Sequence, residues 1–285
     1  MWPLGRPRHG ARDSYEACIS RTREMGAQKR RTRLIAAADA VEAAGEAFRS
    51  GAAAGSLHDL RPEEFQVPGI SQDEKVVTWL YENGMVKGGP GRAIYDDLMS
   101  APEHDRCPLC GHGTVSQLDH FMPKTSYPAL CVDPLNLIPA CSDCNKVKGD
   151  TKATRAEELP LHPYFDDIDS EPWLAARVIH EDGSVRLEFY VSPPDSWDQV
   201  LIDRARNHFK LFKLRKTYAN QANRYIGEIR GLLRLLLARG GAEAVRAHML
   251  DSADSSLSER PNSWIGVTHR SLAADPAFCQ GAFGS

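Results

Sequence analysis

The sequence predicts an α+β protein: a predominantly helical frame that carries a small cysteine-bounded module and, beyond it, a separate β-hairpin. Three observations predict it. Two Cys-x-x-Cys pairs, Cys107/Cys110 and Cys141/Cys144, bracket a stretch too small to build a core of its own. Long segments on either side repeat apolar residues at helical spacing. Two alternating segments flank Glu181-Asp182-Gly183, a hairpin signal. On this pattern residues 1–100 form an N-terminal helical region, 101–155 the module, and 156–285 the hairpin with a C-terminal helical region.

Taken in order, residues 1–10 read as a loose tail. From Ser14 to about Arg49 a helical stripe runs through Leu34, Ile35, Ala38, Val41, Glu42, Gly45 and Phe48, with Asp13 or Ser14 as its cap. Gly-Ala-Ala-Ala-Gly at 51–55 breaks it. After a loop with Pro62 and Pro68, Ser71 and Glu74 form a capping-box pattern for a helix to about Glu82, which Asn83-Gly84 ends. Lys-Gly-Gly-Pro-Gly at 87–91 reads as a mobile turn before a helix over 92–99. Within the module, strands near 114–119 and 136–139 precede a helix from Ser142. Segments 177–180 and 184–191 form the hairpin. From Trp197 the chain is helical. Its stripe of Tyr218, Ala222, Tyr225, Ile226, Ile229, Leu232, Leu233, Leu236 and Leu237 ends at Gly240-Gly241. Another helix runs to about Ser258, and a last one follows Pro261. Trp173, Trp197 and Trp264 read as core or interface residues.

The 285 residues are 42% hydrophobic and 26% charged, the balance of a soluble globular protein. No run of apolar residues is long enough to predict a transmembrane helix. Met1–Gly10 lacks the apolar core of a signal peptide. Four of the seven cysteines sit in Cys-x-x-Cys pairs, which is metal usage in a reducing compartment and not a disulfide framework. The cytoplasm is the expected location. A net charge of −3 argues against a protein that coats nucleic acid along its whole surface. Two local basic runs stand out: Arg21, Arg23, Lys29, Arg30, Arg31 and Arg33, and then Lys210, Lys213, Arg215 and Lys216. Each is by default a solvated helix face. Phosphate contact is expected if both border one cleft with the metal site.

Cys107, Cys110, Cys141 and Cys144 suit zinc, which takes four thiolates in a tetrahedron and accepts two sulfurs from one tight turn. A redox dithiol would not explain the second pair. His112 could compete as a ligand, but four thiolates suffice. A four-cysteine zinc has no open position, so it is structural and the chemistry lies elsewhere.

Between the pairs lie Asp119-His120-Phe121-Met122-Pro123-Lys124 and then Asn136-Leu-Ile-Pro-Ala-Cys-Ser-Asp-Cys-Asn145-Lys-Val-Lys148. Over about residues 104–151 this resembles the HNH endonuclease family, whose fold is the ββα-metal module. The flanks, Gly-Arg-Ala-Ile-Tyr-Asp-Asp-Leu before it, Leu-His-Pro-Tyr-Phe-Asp-Asp after it and Asn-Ser-Trp near the C-terminus, are similar to a group of bacterial HNH proteins of this length. The resemblance implies that Asp119 is a metal-binding acid and His120 the general base. It implies that Asn136 fixes the loop between the strands, Asn145 is the second metal ligand, and Lys148 points towards the phosphate. Asp-His in place of His-His, and a final Asn in place of His, depart mildly from the commonest pattern and favour harder metals. The resemblance also implies DNA as substrate, double-stranded with weak sequence preference, and products with a 5′-phosphate and a 3′-hydroxyl. It further implies a role in phage defence or mobile-element biology, with a regulatory ATPase or a second copy of the chain as partner.

The chemistry of the residues argues for the same roles. A carboxylate and an amide oxygen are hard donors suited to Mg²⁺ or Mn²⁺. A neutral imidazole can take a proton from water near pH 7. Successive strand residues face opposite ways, so Asp119 and His120 both reach one site only with a twist or bulge. Lys124 could contact phosphate, Tyr127 shapes the loop, and His162 serves either a structural hydrogen bond or the rim of the site. The competing reading is a non-catalytic, zinc-stapled nucleic-acid-binding or protein-interaction module. It would have no need of the oxygen ligands Asp119 and Asn145.

Overall fold

In the computed structural model, which describes residues 1–23, 30–68, 70–71, 74–150, 152–181 and 183–283, the chain folds as two units, Met1–Asp167 and Ile168–Ser285. Lys29 of the first basic run, the Glu74 side chain of the capping-box pattern and Asp182 of the hairpin turn lie outside the described residues.

The single helix expected over 14–49 is three: α1 (Ala11–Ile19), α2 (Arg30–Ala36) and α3 (Ala38–Ala53). Helix α1 begins ahead of the expected cap. Asp13 accepts the Gly10 N–H from within the first turn, and Ser14 is buried and donates to the Val132 carbonyl at 2.6 Å. Leu34, Ala38, Val41 and Phe48 are buried as the stripe requires, but Ile35, beside Leu34 on the edge of the stripe, is 50% exposed. The tail is not loose. Trp2 and Leu4 donate backbone bonds to Pro108 and Pro163, which ties residues 2–4 to the module and to the segment after it.

Helix α4 (Glu74–Trp79) does not stop at Asn83-Gly84 but widens into a π-helical turn, Leu80–Val86. The reason is steric. A Cβ on Gly84 would sit 2.9 Å from Cys18 Cβ, and one on Gly91 would sit 2.3 Å from the Gly84 carbonyl oxygen. The two glycines let α1, the π turn and α5 (Pro90–Ser100) pack backbone to backbone. The helix ends instead at Gly88-Gly89, both with positive φ, and Pro90 opens α5.

Strands β1 (Gln117–His120) and β2 (Leu137–Ala140) pair antiparallel, with Asp119 opposite Ile138 and His120 opposite Leu137. Helix α6 (Ser142–Lys148) follows directly, so the module is two short strands and a helix. Thr114, expected in the first strand, makes only an isolated bridge to Arg106.

In the second unit, β3 (Leu174–Glu181) and β4 (Ser184–Val191) form the expected hairpin. Helix α7 (Gln199–Leu211) leads through Lys213, in left-handed backbone, to a long helical run α8 (Leu214–Glu259). Gly241 (φ 67°) interrupts α8 where the stripe was expected to end, and helical bonding then resumes. Tyr218, Ala222, Ile226 and Leu233 are buried, but Leu232 is 43% exposed, on the outer edge of the stripe. Asn262 accepts the Trp173 and Leu174 N–H groups at 2.7 and 3.0 Å, which fixes the entry to α9 (Trp264–Ala273) against the start of the hairpin. A short helix α10 (Pro276–Cys279) closes the unit. Among the described residues, no helix is long and apolar enough to cross a membrane.

Candidate metal centre and cleft

Two turns bring the four thiols together. The first is closed by the Gly111 N–H on the Cys107 carbonyl (2.7 Å) and by the Cys107 N–H on the Gly113 carbonyl (2.8 Å). The second is the start of α6, where Cys141 is the N-cap and Cys144 lies in the first turn. All four cysteines are buried and free of disulfides, and their sulfurs lie within 4.8 Å of one another. A tetrahedral ion with zinc–sulfur bonds of about 2.3 Å sets its sulfurs about 3.8 Å apart. Cys110 and Cys141 are at 3.9 Å. Hydrogen bonds from Cys107 draw both Cys110 and Cys141 towards thiolate, Cys141 down to about 7. The same shared bonds hold the Cys107 and Cys144 thiols up. Such a packed set is stabilised by a dication, and the group could hold a metal such as zinc. Among the described residues the ligand group contains no histidine, so His112 adds none.

A cleft of about 510 Å³ opens beside β1 and α6. Asp119, His120, Asn145, Lys124, Lys146 and Tyr81 are among its walls. Strand alternation is obeyed without a bulge: Asp119 reaches α6, whereas His120 reaches the loop before β2. His120 closes the strand, so the cleft that crosses the strand end touches both.

His120 Nε2 lies 2.8 Å from the Cys131 carbonyl oxygen. A carbonyl only accepts, so Nε2 carries the proton of the neutral ring and Nδ1 keeps its lone pair. Burial pushes the imidazole down to about 3, so it is neutral at pH 7. Tyr81 meets the ring edge-on at 4.7 Å and donates its hydroxyl to the Leu118 carbonyl. Lys124 Nζ lies 5.0 Å from the Tyr81 ring.

Asp119 is buried, and burial pushes its carboxyl up to about 6. Lys148 is also buried. Its ammonium donates to Asp119 Oδ1 at 3.2 Å and to the His120 carbonyl at 2.6 Å. This corrects the expectation that Lys148 points towards a phosphate. Its helix position, one turn past Asn145, faces inward across β1. Asp119 Oδ2 lies 3.2 Å from the same ammonium yet accepts no hydrogen bond among the described residues. The Asn145 side-chain amide, half-buried on α6, likewise has no hydrogen-bond partner among them. A carboxylate oxygen and an amide oxygen on one cleft are hard donors, the chemistry that a divalent cation takes.

Asn136 is fully buried and fully bonded. Its Oδ1 accepts the Met122 N–H at 2.7 Å, and its Nδ2 donates to the Met122 and Leu130 carbonyls at 3.1 Å. It clamps the start and end of the loop between the strands. Tyr127 is buried, with its hydroxyl donated to Leu60, and offers no face to a base. His162 sits in an aromatic cluster with Phe121 and Tyr164, and its Nδ1 accepts the Tyr164 N–H. Sequence reasoning missed Tyr81, whose place depends on the π turn, and Cys131, which acts through a backbone carbonyl and leaves no side-chain signal.

These features define a two-unit α+β protein with a buried four-cysteine centre beside an Asp-His-Asn cleft. The chain is 30% identical over 241 residues to Protein ea31 of Escherichia phage lambda, an alignment covering 79% of each chain, and it belongs to that protein's family. It is also 30% identical over 100 residues to the Septu protein PtuB of Bacillus thuringiensis, covering 34% of this chain and 38% of that one. No family model matches the chain. No solved structure matches it either.

Proposed function

We propose that the protein is a metal-dependent HNH-type endonuclease that hydrolyses phosphodiester bonds of DNA in the cytoplasm. The observation that carries this reading is the tautomer of His120. With Nε2 committed to the Cys131 carbonyl, Nδ1 is a neutral base on a cleft shared with Asp119 and Asn145. In the reaction, His120 Nδ1 removes a proton from a water as the water oxygen bonds to phosphorus and the bond to the 3′-oxygen breaks. The departing oxygen then takes a proton from solvent. Asp119 and Asn145 would hold Mg²⁺ or Mn²⁺. That ion, when bound, supplies charge stabilisation at the departing 3′-oxygen. Asn136 holds the loop that presents the Cys131 carbonyl, and so keeps the His120 ring in place. The cysteines hold shape around zinc.

The buried Lys148–Asp119 pair favours a second reading, a zinc-stapled binding module whose acid is already neutralised. Plasmid nicking by zinc-loaded protein with Mg²⁺ or Mn²⁺ separates the two. Cleavage that His120→Ala abolishes supports the nuclease; absence of cleavage with every divalent metal, or equal cleavage by the variant, removes it. The similarity to a Septu protein and to a phage-encoded protein supports a role in phage defence or mobile-element biology. A regulatory ATPase or a second copy of the chain would be the partner in that setting.

A further inference from the structure

The second basic run forms part of a cleft of its own. A depression of about 830 Å³ lies in the second unit between β4 and the α7–α8 turn. Six cations face it: Arg186 from β4, Arg206 and Lys210 from α7, and Lys213, Arg215 and Lys216 around the turn. One carboxylate, Glu188, shares the lining, and it is already paired with Arg177 and Arg215. Among the described residues, Lys210, Lys213 and Lys216 make no ion pair, and all three are exposed. In a chain of net charge −3, this concentration exceeds what a solvated helix face requires.

Two further features give the cleft its chemistry. Period-two alternation puts Tyr190 on the same face of β4 as Arg186, and its ring is 40% exposed beside the lysines. Lys213 is held in left-handed backbone (φ 54°, ψ 34°), the helix-ending conformation that turns the chain from α7 into α8 and sets its side chain among the lining cations. Behind the lining, Phe209 and Phe189 both pack against Tyr218, at 6.2 and 5.5 Å between ring centroids.

We propose that this cleft binds a single-stranded stretch of nucleic acid, its lysines on successive phosphates and Tyr190 under an unpaired base. Spaced cations match a repeating anion better than a single phosphate. A basic groove carrying an exposed aromatic ring is the usual platform for single strands. Binding here is separate from bond cleavage and does not depend on the His120 chemistry.

The test is fluorescence anisotropy of full-length, zinc-loaded protein with a labelled oligothymidylate, over a salt series, without added magnesium or manganese. The triple variant Lys210→Gln/Lys213→Gln/Lys216→Gln should bind at least about ten-fold more weakly. It should also flatten the log–log salt slope by about two, from three lost contacts at about 0.7 each. Tyr190→Ala should weaken binding about five-fold or more, and Tyr190→Phe should retain it. The double variant Arg234→Gln/Arg239→Gln, in exposed cations elsewhere on α8, should change neither. Retention of wild-type affinity and slope by the triple variant overturns the proposal. So does tighter binding to a duplex of equal length, or to phosphatidylserine vesicles. A failure here leaves His120-dependent nicking untouched, and a failure of nicking leaves this binding untouched.

Discussion

Lys148 Nζ lies 3.2 Å from both carboxylate oxygens of Asp119, and each side chain is almost wholly buried. The pair joins α6 to β1 across the cleft wall. An ammonium and a hard cation would compete for the same carboxylate, so the pair bears on both stability and metal affinity.

Removal of one member of a buried pair leaves the other charge uncompensated, which costs about 3–5 kcal/mol. Lys148→Met should therefore lower the melting temperature, and Lys148→Met/Asp119→Asn should recover much of the loss. If Asp119 is a metal ligand, Mn²⁺ should raise the melting temperature of Lys148→Met more than that of wild type. Thermal melts with and without Mn²⁺ measure both effects, and equal Mn²⁺ shifts would remove Asp119 from the ligand set.

Asp133 supplies a pH signature away from every candidate metal ligand. It is 1% exposed; burial pushes its carboxyl from 3.8 up to about 6, against the Leu135 N–H that it accepts. Glu46 and Arg49, facing it from α3, act in opposite directions. A carboxyl whose folded pKa is raised contributes stability below its unfolded pKa and loses it as pH rises through the folded value. Asp133→Asn keeps an acceptor for Leu135 and removes the titration. Its stability relative to wild type should therefore rise between pH 4 and 7, by up to ~3 kcal/mol. Urea denaturation at several pH values reads this directly; a flat difference across the window would sink the assignment.

How far the sequence carries varies with the kind of constraint. The four cysteines are legible because a two-residue gap is a chemical requirement of one ion and survives any fold around it. The β3–β4 hairpin and the break at Gly241 are legible because glycine at positive φ is a local demand. Lys148 is not legible. Its position on α6 shows only that it follows Asn145 by a turn, and whether that face meets solvent depends on where β1 lies. The Asn83-Gly84 pair misleads for a related reason: Gly84 serves close packing against Cys18 and does not stop the helix. Cys131 is invisible because its backbone, not its thiol, orients His120.

Zinc should be inseparable from the folding of the first unit. The cysteines tie the turn at 107–110 to the start of α6, and α6 presents Asn145 to the cleft. Purified protein should carry one zinc per chain by elemental analysis. Cys144→Ser should lose the metal and lower the melting temperature, because structural zinc contributes folding energy outright. Full stability of a zinc-free chain would contradict the assignment.

Asn136 should be costly to replace without touching any ligand. Its side chain is 0% exposed and spends every hydrogen-bonding group on backbone. Asn136→Ala strands the Met122 N–H and the Met122 and Leu130 carbonyls in the interior. Each unsatisfied group costs about 1–3 kcal/mol, with part of it relieved if water enters. We expect a loss of about 3 kcal/mol or more in denaturant unfolding. The position of Cys131 depends on the same clamp, because Leu130 precedes it. Asn136→Ala should therefore also free His120 Nε2 from its carbonyl. In NMR the His120 Nε2 proton, no longer held by the Cys131 carbonyl, should exchange faster with solvent. Asn136→Asp, which can still accept from Met122 but cannot donate to the two carbonyls, should fall between wild type and alanine in stability. A variant as stable as wild type, with unchanged exchange of the His120 Nε2 proton, would show that the loop holds His120 without Asn136.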